Sequence, residues 1–253
     1  MTTHDRLLSV HQKHGAGYLI LIDPDKINDD NLPSFVRNAT EAGVDGFLVG
    51  GSLVMTSEFE KQITVIKRNT TVPVVIFPGS LSQVSAAADA ILFLVLISGR
   101  NPEHLIGNQV LAAPIIKRMG LEAISTGYML IGTGTMTSAE FVSNTKPIPH
   151  HKTDIAVAHA LAAEIIGMKC LYLDAGSGAD NPVPDEMIRA VSKVCALPII
   201  VGGGIRKPED ARRKVDAGAS FVVTGTILEE QGHSGLIRQF AEAIHSTKVK
   251  AAP

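Results

Sequence analysis

At 253 residues, with 45% hydrophobic side chains, the chain is long enough to bury a large core, and no linker divides it. Aromatic content is 4% with no Trp, so the core has to be built from Val, Ile, Leu and Ala, which suits parallel strands buried on both faces. The formal charge of -2 gives no electrostatic reason to expect nucleic acid or an anionic membrane as a partner. Cys170 and Cys195 sit in apolar runs, which argues against a disulfide framework or a cysteine-rich zinc site and fits a reduced, cytoplasmic setting. The longest apolar run, Ile91 to Ile97, is far too short to span a bilayer.

The segment Met1 to Gly17 is polar and reads as an N-terminal helix or cap. From Tyr18 onward, short β-branched and apolar runs recur: Tyr18 to Ile22, Gly46 to Val49, Val72 to Phe77, Ile91 to Ile97, Ala123 to Ile131, Lys169 to Leu173, Leu197 to Val201 and Ser220 to Val223. Between most of them lie stretches with helical apolar spacing: Leu32 to Ala42, Asp154 to Ile166, Pro184 to Val194 and Pro208 to Ala217. Strands alternating with helices imply a parallel sheet, and eight strands favour closure, so the chain is expected to form one α/β domain over 1–253, a (β/α)8 TIM barrel from about 18 to 245. Only Gly79 to Ala90 separates the third run from the fourth. A full helix barely fits there, so the third helix is expected to be replaced by a loop that opens one side of the barrel. Thr133 to Lys152 is expected to be a long loop with one helical turn. The segments Glu41 to Ser52 and Asp216 to Thr226 share a pattern of helix end, Gly cap, buried strand and Gly/Ser/Thr loop, a grammar common to all such barrels.

Catalytic groups of these barrels follow the strands. After the first run comes Asp23-Pro-Asp-Lys26, where Asp23 is the better candidate for a cation ligand and Asp25 is expected to be solvated. The second run leads into Gly50-Gly-Ser52, whose hydroxyl can meet a cation or a phosphate. The last three runs end in Tyr172-Leu-Asp-Ala-Gly-Ser-Gly178, Gly202-Gly-Gly204 and Thr224-Gly-Thr226. Three glycine-rich turns on successive late strands are the make-up of a barrel phosphate site, with backbone N–H groups facing the anion. Tyr172 and Asp174 fall on the same side of their strand, and a carboxylate there can accept a proton from a substrate hydroxyl. Arg206 and Lys207, beyond the glycine triplet, are equally readable as phosphate contacts or as a solvated helix start. His150, His151 and His159 lack a metal-ligand spacing. On residues alone, a sugar-phosphate isomerase, epimerase or lyase stays open, although no Lys ends an inner strand to serve as a Schiff base. A non-catalytic phospholigand-binding barrel stays open too.

Taken together and in order, Asp23-Pro-Asp-Lys26, Gly50-Gly-Ser52, Tyr172 to Ala179, Gly202-Gly-Gly-Ile205 and Gly225-Thr226 resemble the geranylgeranylglyceryl phosphate synthase family, from the first strand to the last. The resemblance implies a prenyltransferase that joins a polyprenyl diphosphate, geranylgeranyl diphosphate in the archetype, to the 3-hydroxyl of sn-glycerol 1-phosphate, releasing diphosphate. It implies Mg2+ at Asp23 and Ser52. Glycerol phosphate is implied at Tyr172, Leu173, Asp174, Ala175, Gly176, Ser177, Gly178, Gly203, Gly204, Gly225 and Thr226, with Asp174 as the catalytic base. It further implies a cytoplasmic homo-oligomer whose membrane contact is limited to product release. The chain departs from the pattern at Asp174, where many members carry Glu, and at Leu21, where some carry Lys; its Gly-Ser-Gly loop is similar to that of the branch in which higher oligomers are frequent.

Overall fold

The computed structural model describes residues 1–225 and 234–245. Eight barrel strands follow one another: β1 Gly17–Ile22, β2 Gly46–Val49, β3 Val74–Ile76, β4 Ala90–Leu96, β5 Glu122–Gly132, β6 Cys170–Asp174, β7 Ile199–Gly202 and β8 Phe221–Thr224. Each pairs in parallel with its sequence neighbours, β1 pairs with β8, and the ring closes; a two-residue strand, Ile148–Pro149, adds to the end of β5.

Among the described residues the helices are α1 Thr3–His14, α2 Leu32–Glu41, α3 Phe59–Arg68, α4 Asn108–Met119, α5 Ser138–Ser143, α6 Thr153–Ile166, α7 Asp185–Ser192, α8 Pro208–Ala217 and α9 Ser234–His245. A π-helical turn, Glu103–Gly107, leads into α4. Residues 77–89, between β3 and β4, contain no helix, so the barrel lacks its third helix as the short connection predicts. The connection after β5 is more ordered than the single turn expected, because the Thr137 hydroxyl accepts the Glu140 N–H and caps the six-residue helix α5.

Strand alternation divides the core in two. Leu19, Leu48, Val75, Leu92, Ile124, Tyr128, Tyr172, Ile200 and Val223 fill the barrel, while Ile20, Val49, Ile91, Met129, Leu173, Val201 and Val222 pack outward against the helices. Helix α1 closes the amino end of the barrel: Leu7 joins the inner cluster, and the Thr3 and His4 N–H groups, orphaned at the helix start, donate to the Glu122 carboxylate at 2.5 and 3.1 Å. Helix α9 is tied to the first strands through Asp45, which accepts the Tyr18 N–H and pairs with His245, both at 2.7 Å. The opposite, carboxyl end is left open for a site.

Candidate active site

A cavity of about 640 Å3 occupies the carboxyl end of the barrel. Asp23, Ser52, Tyr172, Asp174, Ser177, Gly178, Gly203, Gly204 and Gly225 all line it, together with Thr224 and Arg206. Asp23 reaches it because it continues the inward parity of Leu19 and Leu21. Thr226 lies outside the described residues. Leu173 and Ala175 do not present side chains to the cavity: both are fully buried in the outer core, and the Ala175 N–H donates to the Gly202 carbonyl at 3.1 Å.

The floor is an acid held by a phenol. Tyr128 on β5 and Tyr172 on β6 are paired in register and both point inward. The Tyr128 hydroxyl donates to Asp174 Oδ2 at 2.6 Å, and the Gly176 N–H donates to Oδ1 at 2.8 Å. Burial pushes the Asp174 carboxyl above the usual carboxylate range, while the Tyr128 hydroxyl and the Gly176 N–H pull it partway back. Burial, reinforced by the neighbouring Asp174 charge, holds both phenols well above their ordinary value, so they stay protonated. Phe77 stacks on Tyr172 with ring centroids 4.8 Å apart and meets the Tyr128 edge at 6.0 Å, so the phenol that bonds the carboxylate belongs to a cluster of three aromatic rings. Sequence reasoning missed Tyr128 and Phe77. The signal for Tyr128 was present in the alternation of β5, where it shares the parity of Ile124 and Leu130.

The glycine turns are packed against one another as well as open to the cavity. Gly203 has φ +81, and a Cβ there would lie 2.6 Å from the Gly176 carbonyl and 2.8 Å from Asp174 Oδ1. A side chain at this position would therefore displace both the β6 loop and the acid. The β5–α5 loop reaches over the same turn, with Thr135 donating to Asp180 at 2.7 Å.

On the other side of the mouth, a Cβ on Gly51 would lie 3.5 Å from both Asp23 carboxylate oxygens, so the acid faces the loop carrying Ser52. Lys26 pairs with Asp23 at 3.1 Å. Asp25, expected to be merely solvated, instead accepts the Met55 and Thr56 N–H groups at 2.7 and 2.8 Å and fastens the loop after β1 to the loop after β2. Among the described residues there is no cluster of three or more His, Cys, Asp or Glu that would cage a metal on its own. One carboxylate and one hydroxyl at an open mouth suit a hard cation such as Mg2+, which completes its shell with water and phosphate oxygens.

From Asp174 the cavity runs away from the polar mouth into an apolar groove. Both faces of β4 contribute, Leu92, Leu94 and Leu96 from inside and Ile91 and Phe93 from outside, so the cavity reaches the outer wall where the third helix is missing. Leu81 and Val84 of the β3–β4 connection and Ala112 and Ile116 of α4 complete the walls. Polar side chains border it as well, His104, Asn108 and Gln109 among them, and Gln109 Nε2 donates to the Leu94 carbonyl at 2.5 Å and to the His104 carbonyl at 3.1 Å. The His150 and His151 rings meet each other with centroids 5.2 Å apart, and neither residue lines this cavity.

The PcrB family model matches residues 9–244. A geranylgeranylglyceryl phosphate synthase of Chitinophaga pinensis is 48% identical over 229 residues, 90% of either chain, and one of Korarchaeum cryptofilum is 44% identical, over 90% of this chain and 93% of the other. Among solved structures, (S)-3-O-geranylgeranylglyceryl phosphate synthase from Thermoplasma acidophilum, in complex with its substrate sn-glycerol-1-phosphate, superposes with a TM-score of 0.92 at 34% identity, covering 98% of this chain and all of that one.

Proposed function

Since the chain belongs to the PcrB family of geranylgeranylglyceryl phosphate synthases, we propose that this cavity transfers a prenyl group from its diphosphate to the 3-hydroxyl of sn-glycerol 1-phosphate. The observation that carries the reading is the layout around Asp174: a desolvated carboxylate stands between a glycine-rich anion site on three late strands and an apolar groove running out through the wall. A sugar-phosphate isomerase needs the first half of that layout and has no use for the second.

The reaction divides among the chain's residues. Backbone N–H groups of the β6 and β7 turns bind the glycerol phosphate anion and set its free hydroxyl toward Asp174. The hydroxyl oxygen forms a bond to C1 of the prenyl group as the bond from C1 to the diphosphate oxygen breaks, and Asp174 takes the hydroxyl proton. Tyr128 orients the carboxylate and stabilises its charged form against the cost of burial, so that it is free to take the proton. Cationic character developing at C1 meets the faces of Phe77, Tyr128 and Tyr172, which also exclude water that would capture it. Asp23 and the Ser52 hydroxyl are the groups that would hold Mg2+, whose chemistry there is to neutralise the departing diphosphate. The prenyl chain lies in the groove between β4, the β3–β4 connection and α4.

The same reading carries a cytoplasmic homo-oligomer. Exposed apolar side chains on successive helices, Val110 and Leu111 on α4, Phe141 on α5, Ile165 and Ile166 on α6, support assembly. No helix among the described residues is long and apolar enough to cross a membrane. The test is incubation with labelled sn-glycerol 1-phosphate, Mg2+ and a series of prenyl diphosphates, followed by solvent extraction. Labelled ether-linked product supports the reading; its absence with every chain length overturns it.

A further inference from the structure

The connection that replaces the third barrel helix does more than leave a gap. Gln83, in its middle, is 1% exposed, and its amide bonds both the loop after β2 and the start of its own connection. Its Oε1 accepts the Gly51 N–H at 3.3 Å and the Gly79 N–H at 3.2 Å, and its Nε2 donates to the Gly51 carbonyl at 2.9 Å. Both Gly51 backbone groups, immediately before Ser52, are therefore satisfied by one side chain from a different loop.

The backbones involved are packed too closely to admit a side chain at either Gly50 or Gly79. Gly50 has φ +150, and a Cβ there would lie 2.1 Å from the Phe77 carbonyl and 2.8 Å from Gln83 Oε1; one on Gly79 would lie 2.3 Å from the Gly51 carbonyl. On either side of Gln83, Leu81 and Val84 turn into the apolar groove. A short, helix-free segment thus has apolar side chains in the groove and, between them, an amide holding the loop that carries Ser52. Segments packed this tightly pass a displacement on rather than absorb it.

We propose that Gln83 is a positioning residue through which occupancy of the apolar groove sets the geometry of the Gly51–Ser52 loop, so that transfer from a long prenyl diphosphate proceeds faster than transfer from a short one. The inference rests on the function proposed above. A chain filling the groove presses on Leu81 and Val84, Gln83 is held in place, and the Ser52 hydroxyl is aimed at the leaving diphosphate. A short chain leaves that wall unsupported.

The experiment compares wild type with Gln83→Met, which keeps the volume and removes all three hydrogen bonds. kcat and KM are measured for geranylgeranyl and dimethylallyl diphosphate, with KM for sn-glycerol 1-phosphate, and calorimetry measures the affinity for unreactive geranylgeranyl thiodiphosphate. Wild type is expected to show a higher kcat with the long donor. In Gln83→Met that advantage disappears and the thiodiphosphate binds about tenfold more weakly, while KM for glycerol phosphate stays within about twofold. Equal loss of kcat with both donors, or an equal rise in the glycerol phosphate KM, overturns the proposal and leaves Gln83 as loop packing. If Gln83→Met does not fold, Val84→Ala carries the test: it should lower kcat for the long donor alone, and a change confined to KM counts against the coupling. A wild-type enzyme inactive with every prenyl diphosphate overturns the functional reading itself, an outcome distinct from an active enzyme whose variants show no split.

Discussion

The Tyr128 hydroxyl and the Asp174 carboxylate meet at 2.6 Å inside the barrel, one strand apart, with the phenol donating. Burial raises the carboxyl and this hydrogen bond lowers it, so removing the donor must raise it further. Tyr128→Phe is therefore expected to move the acid limb of the kcat/KM profile to higher pH, because a base is useful only above its own pKa, and to lower kcat by about tenfold. A pH-rate profile superposable on wild type would remove Tyr128 from the mechanism.

Asp174→Asn separates activity from stability. As proton acceptor, its loss should lower kcat by about two to four orders of magnitude. Because the native carboxyl is raised above its unfolded value, the folded state holds a proton that the unfolded chain releases, and stability falls as pH rises through that window. The amide is neutral throughout, and can accept the Gly176 N–H while donating to the Tyr128 oxygen. Thermal unfolding of Asp174→Asn should thus occur at a higher temperature than wild type near neutrality, with the difference closing as pH falls below the ordinary Asp range. A variant less stable than wild type at neutral pH, with glycerol phosphate affinity lost alongside rate, would mark Asp174 as chiefly a loop fastener through Gly176. Asp174→Glu is expected to keep partial activity.

At the cation end, turnover should stop in excess chelator and return with Mg2+, and Asp23→Asn should remove most activity while leaving the circular dichroism spectrum unchanged. Asp25→Asn is the contrast. Its carboxylate is engaged by Met55 and Thr56 N–H groups, so the neutral isostere should weaken cation dependence only indirectly and lower activity by less than about tenfold. Full turnover under chelation rejects the assignment.

In the proposed site the backbone N–H groups of the β6 and β7 turns are a fixed frame, so the Asp174 carboxylate should meet only one enantiomer's hydroxyl. The enzyme is expected to use sn-glycerol 1-phosphate at least about a hundredfold better than the 3-phosphate, measured as a ratio of kcat/KM. Equal rates would show that the frame does not orient the glycerol.

Ala112 on α4 lines the apolar groove opposite β4. Ala112→Phe should obstruct it, lowering kcat/KM for geranylgeranyl diphosphate by more than about tenfold while geranyl diphosphate is still used. Product chain lengths read by mass spectrometry check this, and an unchanged distribution would place the prenyl chain elsewhere.

Much of this protein was determined by sequence-local physics. Strand order, barrel closure, the absent third helix and the glycine turns at the carboxyl end follow from short-range patterns: β-branched runs set the strands, twelve residues from Gly79 to Ala90 leave no length for a returning helix, and glycines stand where the backbone must turn tightly. The inward parity of Tyr172 and Asp174 could be counted along one strand. What the tertiary structure alone decided are the contacts between segments far apart in the chain. Tyr128 and Asp174 are 46 residues apart and become partners only through the β5–β6 register; Gln83 reaches Gly51 across 32 residues; Asp25 reaches Thr56 across 31. Periodicity shows that Tyr128 and Asp174 point inward but not that they meet, and the two loop pairs leave no periodic trace at all, because each contact depends on where two backbones come together in space. Side-chain identity alone cannot say which of several acids and amides will face a cavity and which will hold its walls.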